Sequence, residues 1–149
     1  MNNNLVLRDY GDNPFSLNID MATRQNQNFR TVLWTGKHLQ LVLMKIPKGE
    51  AIGGEVHPHT DQFIKVVSGT AKVYMGKSAD DISYKKQVGE GGAVVIPAGW
   101  YHNIKNVGNK NLRLYTIYAP PEHPFGTVHQ TKAQAERDEA HHHRKNNMR

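Results

Sequence analysis

The chain of 149 residues contains no cysteine. A disulfide framework, a thiolate zinc site and a cysteine nucleophile are therefore excluded, and any bound metal must be held by nitrogen and oxygen atoms. No apolar run approaches the roughly 20 residues that a membrane-spanning helix needs. The N-terminus also lacks the basic segment and apolar stretch of a signal peptide. From these absences we expect a cytoplasmic protein that does not associate with membranes.

Basic residues outnumber acidic ones and give a formal net charge of +6. Much of this excess lies in the tail from Arg137 to Arg149, and the middle of the chain is nearly balanced. No basic stripe alternates with aromatic residues, as single-stranded nucleic acid would require. A nucleic-acid partner is therefore not expected. We interpret the run His141-His142-His143 as a feature of the tail without a specific metal-binding role.

Short segments rich in β-branched and aromatic residues alternate with glycine and proline turns. Residues 29–34 and 39–46 flank a turn at Gly36 and predict a hairpin. Further strands are predicted at Phe63–Val67, Ala71–Met75, Ile82–Val88, Ala93–Ile96, Tyr101–Lys105 and Leu112–Tyr118. About eight or nine short strands favour an all-β sandwich or barrel. A polar helix is predicted from Gln130 to His143, because Thr131 and Gln134 have the spacing of a capping box.

Three histidines have spacings suited to a metal site. His57 and His59 are two residues apart, so both would point to one side of a strand. His102 follows the turn Pro97-Ala98-Gly99 on a different predicted strand. Imidazole is a ligand for zinc, copper, nickel and iron. If both strands face the barrel interior, the three rings meet on one divalent ion.

The second of these stretches resembles a sequence motif of the cupins. Every position of that motif is filled in Gly91-x5-Pro97-x-Gly99-x2-His102-x3-Asn106. The first cupin motif is written as a glycine, five residues, His-x-His, three or four residues, Glu, six residues and a glycine. His57, His59 and the closing Gly69 match it, Gln62 stands where the family has Glu, and Gly49 and Gly53 flank the usual place of the leading glycine.

Outside the motifs, Trp34 to Leu41 and Ala119 to His129 are similar to a group of small single-domain cupins. That group is often labelled mannose-6-phosphate isomerase-like. The resemblance covers the chain from about Asn28 to Glu139 and implies a cupin jelly-roll barrel with a short C-terminal helix.

The resemblance also implies a divalent metal ion (Zn, Mn, Fe or Ni) held by His57, His59, Gln62 and His102. Asp61 is the alternative to Gln62, but adjacent residues of a strand alternate between faces, which favours Gln62. Because Gln62 is neutral, a metal held there would keep its full charge. Such a centre would favour an anionic ligand and lower the pKa of bound water.

We predict three regions: an N-terminal arm at 1–28, a cupin barrel at 29–121, and a C-terminal extension at 122–149 with the helix and a basic tail. The arm has too few apolar residues to fold alone, so it is expected to pack on the barrel or on a second subunit. Because a jelly roll leaves strand edges to cover, a homodimer is expected.

The resulting hypothesis is a metal-binding cupin that acts on, or only binds, a small oxygenated molecule, sugar-like or anionic. An isomerase or epimerase would need a general base within reach of the substrate, and a dioxygenase would need a redox-active metal. The alternative is a non-enzymatic small-molecule-binding module. We expect His123 and His129 to pack outside the barrel, with a role as proton donors at its mouth as the alternative.

Overall fold

The computed structural model describes the backbone of residues 5–147 and the side chains of residues 5–140. The side chains of His141, His142 and His143 therefore lie outside the described residues. Within this range the chain forms ten strands and two helices: α1 (Ile19–Gln25), β1 (Arg30–Thr35), β2 (Gln40–Ile46), β3 (Glu55–Val56), β4 (Asp61–Ser68), β5 (Ala71–Ser78), β6 (Asp81–Val88), β7 (Ala93–Ile96), β8 (Tyr101–Asn106), β9 (Leu112–Ala119), β10 (Val128–His129) and α2 (Lys132–Asn147).

The strands form two antiparallel sheets. The larger sheet has six strands in the order β10-β1-β2-β9-β4-β7, and the smaller has four in the order β3-β8-β5-β6. One hydrophobic core joins them, since Val42 and Leu114 of the larger sheet share it with Val73 and Ile104 of the smaller. All four are almost fully buried. The predicted all-β jelly roll with a short C-terminal helix is confirmed.

The N-terminal arm covers the outer face of the larger sheet. Leu33, Leu43 and Tyr115 point away from the barrel interior and are buried. They cluster with apolar residues of the arm, namely Leu5, Leu7, Tyr10, Phe15, Leu17 and Ile19. The side chain of Asn18 accepts a hydrogen bond from the backbone of Met21 at 3.1 Å and begins α1. The apolar residues of the arm thus have a partner surface within the same chain.

The C-terminal extension returns to the barrel. β10 pairs with β1 so that His129 lies opposite Arg30. Thr131 accepts a hydrogen bond from the backbone of Gln134 at 3.1 Å, as the predicted helix start requires. Ala135 of α2 is buried in the interior core, so this polar helix packs on its own barrel. Within the described residues, neither helix has the length and apolar character to cross a membrane.

Candidate metal centre

The pairing of β3 with β8 brings three possible metal ligands together. Glu55 lies opposite His102 in this register, and His57 follows β3 directly. One side-chain nitrogen or oxygen of each residue lies within 4.8 Å of those of the other two. The two imidazole rings are 5.1 Å apart between centroids, and both residues are buried.

His57 lies between two carboxylates. Its Nδ1 is 3.0 Å from Oε1 of Glu122, and its Nε2 is 3.0 Å from Oε2 of Glu55. Burial alone would lower the pKa of His57, but the adjacent carboxylates of Glu122 and Glu55 outweigh it and raise the pKa to about 9. At neutral pH the metal-free protein therefore carries an imidazolium between two carboxylates.

The Nε2 atom of His57 is the atom best placed to bind a metal ion. Its contact with Glu55 has the length of an ion pair but not the direction of an N–H···O hydrogen bond, so this buried nitrogen has no hydrogen-bond partner among the described residues. Buried polar atoms are nearly always satisfied in folded proteins. A cation between Nε2 and the Glu55 carboxylate would satisfy both groups, so these residues fit a metal ion.

His102 is held in the tautomer that a metal requires. Its Nδ1 donates a hydrogen bond to the carbonyl oxygen of Trp100 at 3.1 Å, which leaves the lone pair on Nε2. Burial, together with the charge of His57, lowers the pKa of His102, while the bond to Trp100 opposes that change. A neutral imidazole with a free Nε2 is the form of histidine that binds metals.

Gln62 lies on β4 and faces the interior. Its Nε2 donates a hydrogen bond to Oγ1 of Thr116 at 3.0 Å, while its buried Oε1 accepts none from the described residues. Its register neighbour on β9 is Tyr118, whose ring contacts that of His57 edge-on at 5.7 Å. The free amide oxygen therefore lies on the same side of the sheet as the cluster, and its ligation of a metal stays a prediction.

The structure does not bring His59 to the other histidines. β3 ends at Val56, and Pro58 and His59 form a turn, so the strand assumed to carry both His57 and His59 on one face does not extend that far. His59 is exposed and is not part of the cluster. Asp61, the alternative to Gln62, is also exposed, and its Oδ1 accepts a hydrogen bond from the backbone of Ala98 at 2.9 Å.

Glu55 is the residue that the sequence reasoning missed. Five residues separate it from Gly49, four separate His57 from Gln62, and six separate Gln62 from Gly69. All spacings of the first cupin motif are therefore met when Glu55-x-His57 occupies the place of His-x-His. In this alignment Glu stands in the place of the first His and Gln in the place of the usual Glu, so the cluster contains one carboxylate that the sequence prediction did not include.

Two residues of the C-terminal extension also reach this region. Oε2 of Glu122 accepts a hydrogen bond from Thr60 at 3.2 Å. The backbone N–H of Glu122 donates a hydrogen bond to Oε1 of the buried Gln40 at 3.1 Å. The ring of His123 meets that of Tyr118 edge-on at 5.2 Å. Burial and the charge of Arg30 lower the pKa of His123 to about 2, so its imidazole is neutral.

His123 and His129 differ from the sequence expectation of a tail packed outside the barrel. His129 is only 3% exposed. The Nε2 atom of His123 is buried, and it has no hydrogen-bond partner in the part of the chain that the structure describes. The extension therefore covers one end of the barrel and contributes side chains to its interior.

Comparisons with known proteins agree with this fold. The cupin domain family matches residues 42–118. The protein YrkC of Bacillus subtilis (strain 168) is 55% identical over 132 residues, which cover 89% of this chain and 71% of that protein. A protein of Acanthamoeba polyphaga mimivirus is 42% identical over 115 residues, covering 76% of this chain and 70% of its own length.

A solved structure is also similar over most of the chain. The crystal structure of BH2720 from Bacillus halodurans has a TM-score of 0.86 and 51% sequence identity, and the match covers 87% of this chain and 98% of that one. The family match extends over the segment that contains His57 and His102. The chain belongs to the cupin domain family.

Proposed function

We propose that the protein binds one divalent metal ion through Glu55, His57 and His102, with Oε1 of Gln62 as a fourth donor. The convergence of one carboxylate and two imidazoles within 4.8 Å, at a buried Nε2 that has no hydrogen-bond partner among the described residues, is the observation that supports this proposal. Such a mixed nitrogen and oxygen set suits zinc, iron, manganese or nickel. Glu122 would then act on the metal through His57, as carboxylates behind metal-bound histidines do.

The bound ion holds a small oxygenated molecule in the barrel. One carboxylate ligand leaves a divalent centre with a net positive charge, which favours a ligand with an anionic oxygen. The metal, when bound, supplies a Lewis acid for such an oxygen. Tyr118 and His123 are neutral, so they can form hydrogen bonds to such a ligand without adding a negative charge that would repel it.

The titratable groups of this interior favour binding or metal-centred chemistry over isomerisation. A general base works best with a pKa near the working pH. The pKa of His123 is too low for that role, burial raises the pKa of Tyr118 far above neutrality, and His57 is taken by the metal. Among the described residues of the cluster, no free base suited to an isomerase is therefore available. We favour a small-molecule-binding module, with a dioxygenase as the enzymatic alternative.

Elemental analysis of protein purified without an affinity tag tests the metal. We expect about one divalent ion per chain in the wild type, and its loss in His57→Gln and His102→Gln. His59→Gln is the matched control, because His59 is exposed and should not affect the metal content. A variant with alanine at His141, His142 and His143 controls for adventitious binding by the tail. Wild-type protein without metal, after incubation with each candidate ion, would contradict the proposal.

Two assays on the metal-loaded protein separate binding from catalysis. Oxygen uptake in the presence of small hydroxy or keto acids would indicate a dioxygenase. Sugar isomerisation would contradict our preference and support the mannose-6-phosphate isomerase-like label, which stays a prediction. The cytoplasmic location is likewise a prediction.

We also propose a homodimer. β6 is an edge strand of the smaller sheet, and most of its residues are exposed along its whole length. Such an edge offers unpaired backbone groups to a second chain. Light scattering after size-exclusion chromatography should give twice the mass of one chain, and a monomer at micromolar concentration would contradict the proposal.

A further inference from the structure

Arg30 is a buried cation with an incomplete set of hydrogen bonds. It is 1% exposed, and it points to the same side of β1 as Val32, which lies in the interior core. Its Nε is buried and has no hydrogen-bond partner among the residues that the structure describes. A buried donor on a charged group is costly to leave unsatisfied. Its persistence in the barrel interior therefore requires an explanation.

The hydrogen bonds that Arg30 makes to other described residues come from one nitrogen, Nη1. His129 donates from Nε2 to Asp138 at 2.9 Å, so its Nδ1 is an acceptor, and it receives a hydrogen bond from Nη1 of Arg30 at 3.1 Å. Oε1 of Glu139 lies 3.3 Å from the same Nη1. Glu139 belongs to α2 and its side chain is 49% exposed. The guanidinium is thus paired with a half-exposed carboxylate, while its Nε is buried.

The Nε2 atom of His123 is also buried and has no hydrogen-bond partner among the described residues. The ring of Tyr118 contacts both His123, at 5.2 Å, and His57, at 5.7 Å, and so connects this nitrogen with the candidate metal centre. After burial, the charge of Arg30 is the next influence on the pKa of both His123 and Tyr118. The guanidinium therefore acts electrostatically on the region between α2 and the cluster.

We propose that Arg30 binds the carboxylate of the ligand, and that the ligand is a small carboxylic acid with a second oxygen donor, such as a hydroxy acid, a keto acid or a dicarboxylate. The ligand carboxylate accepts hydrogen bonds from Nε of Arg30 and from Nε2 of His123, and its negative charge replaces that of Glu139 beside the guanidinium. Guanidinium groups pair with carboxylates through two parallel N–H donors, which fits this role.

This inference rests on the proposed function, since it assigns a chemical class to the molecule bound in the barrel. It also makes Glu139 a competitor: the carboxylate of α2 holds Arg30 until a ligand carboxylate replaces it. Removing the charge of Glu139 should therefore tighten anion binding, whereas removing another charge from the same helix should not.

Nuclear magnetic resonance of the metal-free protein tests the site directly. The Nε–H signals of arginines are resolved from backbone amides, and Arg30→Lys, which keeps the charge but removes Nε–H, assigns the signal of Arg30. Malonate should shift this signal in a saturable way, and the neutral analogue malonamide should not. The absence of a malonate-induced shift in both wild type and Glu139→Gln would overturn the proposal.

Two charge-matched variants make the test quantitative. Glu139→Gln should bind malonate at least threefold more tightly than the wild type. Glu136→Gln removes the same charge from α2, but Glu136 contacts Lys132 at 3.9 Å rather than Arg30, so the malonate affinity should stay unchanged. Equal tightening in both variants would indicate a general charge effect and overturn the proposal, as would no tightening in Glu139→Gln.

Arg30→Lys should bind malonate at least fivefold more weakly than the wild type. If this variant does not fold, the Glu139→Gln and Glu136→Gln pair decides the outcome alone. These measurements use metal-free protein, so they are independent of the elemental analysis. A protein that binds malonate but takes up no metal would refute the proposed function and leave this inference standing. A protein that takes up metal but does not bind malonate would do the reverse.

Discussion

Oε1 of Glu122 lies 3.0 Å from Nδ1 of His57, and this contact joins the C-terminal extension to the candidate metal centre. The two residues are far apart in the chain, so the contact forms only when the extension docks on the barrel. Thr60 and Gln40 hold Glu122 from the barrel side. The orientation of His57, a proposed metal ligand, therefore depends on a segment outside the strands of the jelly roll.

Glu122→Gln should weaken metal binding by about 10–100-fold, because a carboxylate behind a metal-bound histidine orients the ring and raises its basicity. Competition with a chelator of known affinity measures the change. Glu90→Gln is the control, since Glu90 pairs with Lys110 in an exposed position. Metal affinity equal to that of the wild type in Glu122→Gln would show that this contact has no part in the site.

Glu55→Gln should also lower metal affinity by about tenfold or more, because the only carboxylate of the proposed ligand set is lost. In Glu55→His/Gln62→Glu the usual motif is restored, and we expect metal retention after dialysis at least equal to that of the wild type. Gln62→Glu alone should raise retention as well. If Glu55→Gln keeps its metal and His59→Gln loses it, the ligand set with His59 is right and that with Glu55 is wrong.

The metal-free protein should lose stability as the pH rises from about 6.5 to about 9. The pKa of His57 is raised to about 9 in the folded state from its ordinary value of 6.5, so its contribution is complete below the ordinary value and is lost as the pH passes the raised one. Denaturant unfolding at several pH values measures this. His57→Gln should remove this loss, and an unchanged pH profile in that variant would contradict the assignment.

Metal binding should show the opposite trend. The ion must displace the proton from Nε2 of His57, so its apparent affinity should rise with pH up to about 9. Calorimetry in buffers of different ionisation enthalpy would report the protons released. Metal binding without proton release near neutral pH would be incompatible with His57 as a ligand.

Leu33→Ala should destabilise the fold by about 2–5 kcal/mol, because Leu33 is completely buried between the larger sheet and the N-terminal arm. Val95→Ala is the matched control on the same sheet. Val95 is 66% exposed, so its truncation should change the free energy of unfolding by less than about 0.5 kcal/mol. Equal effects of the two substitutions in denaturant unfolding would show that the arm does not cover the sheet.

The strands and the position of His102 could be predicted from the sequence because they depend on local patterns. Alternation and turn residues predicted a strand at Tyr101–Lys105, and the structure has it at Tyr101–Asn106. The turn before it, in which the N–H of Trp100 bonds to the carbonyl of Pro97 at 3.2 Å, fixes where His102 enters the barrel. The local sequence was therefore sufficient to predict the structure of the second cupin motif.

The rest of the site depends on contacts between distant segments. β3 has two residues, too few for alternation to predict, and only its pairing with β8 places Glu55 opposite His102. The turn at Pro58 moved His59 to the surface. Arg30 looked like an ordinary strand residue, since its burial requires both β10 and α2.

The docking of the extension implies thermodynamic linkage between site occupancy and the integrity of the C-terminus. Any species that binds the docked form more tightly than the undocked form must hold the extension in place. A ligand that replaces Glu139 at Arg30 would release one contact of α2, whereas a metal on His57 would strengthen the attachment of Glu122. A bound metal should therefore slow protease cleavage between Pro121 and α2, whereas the organic ligand should accelerate it.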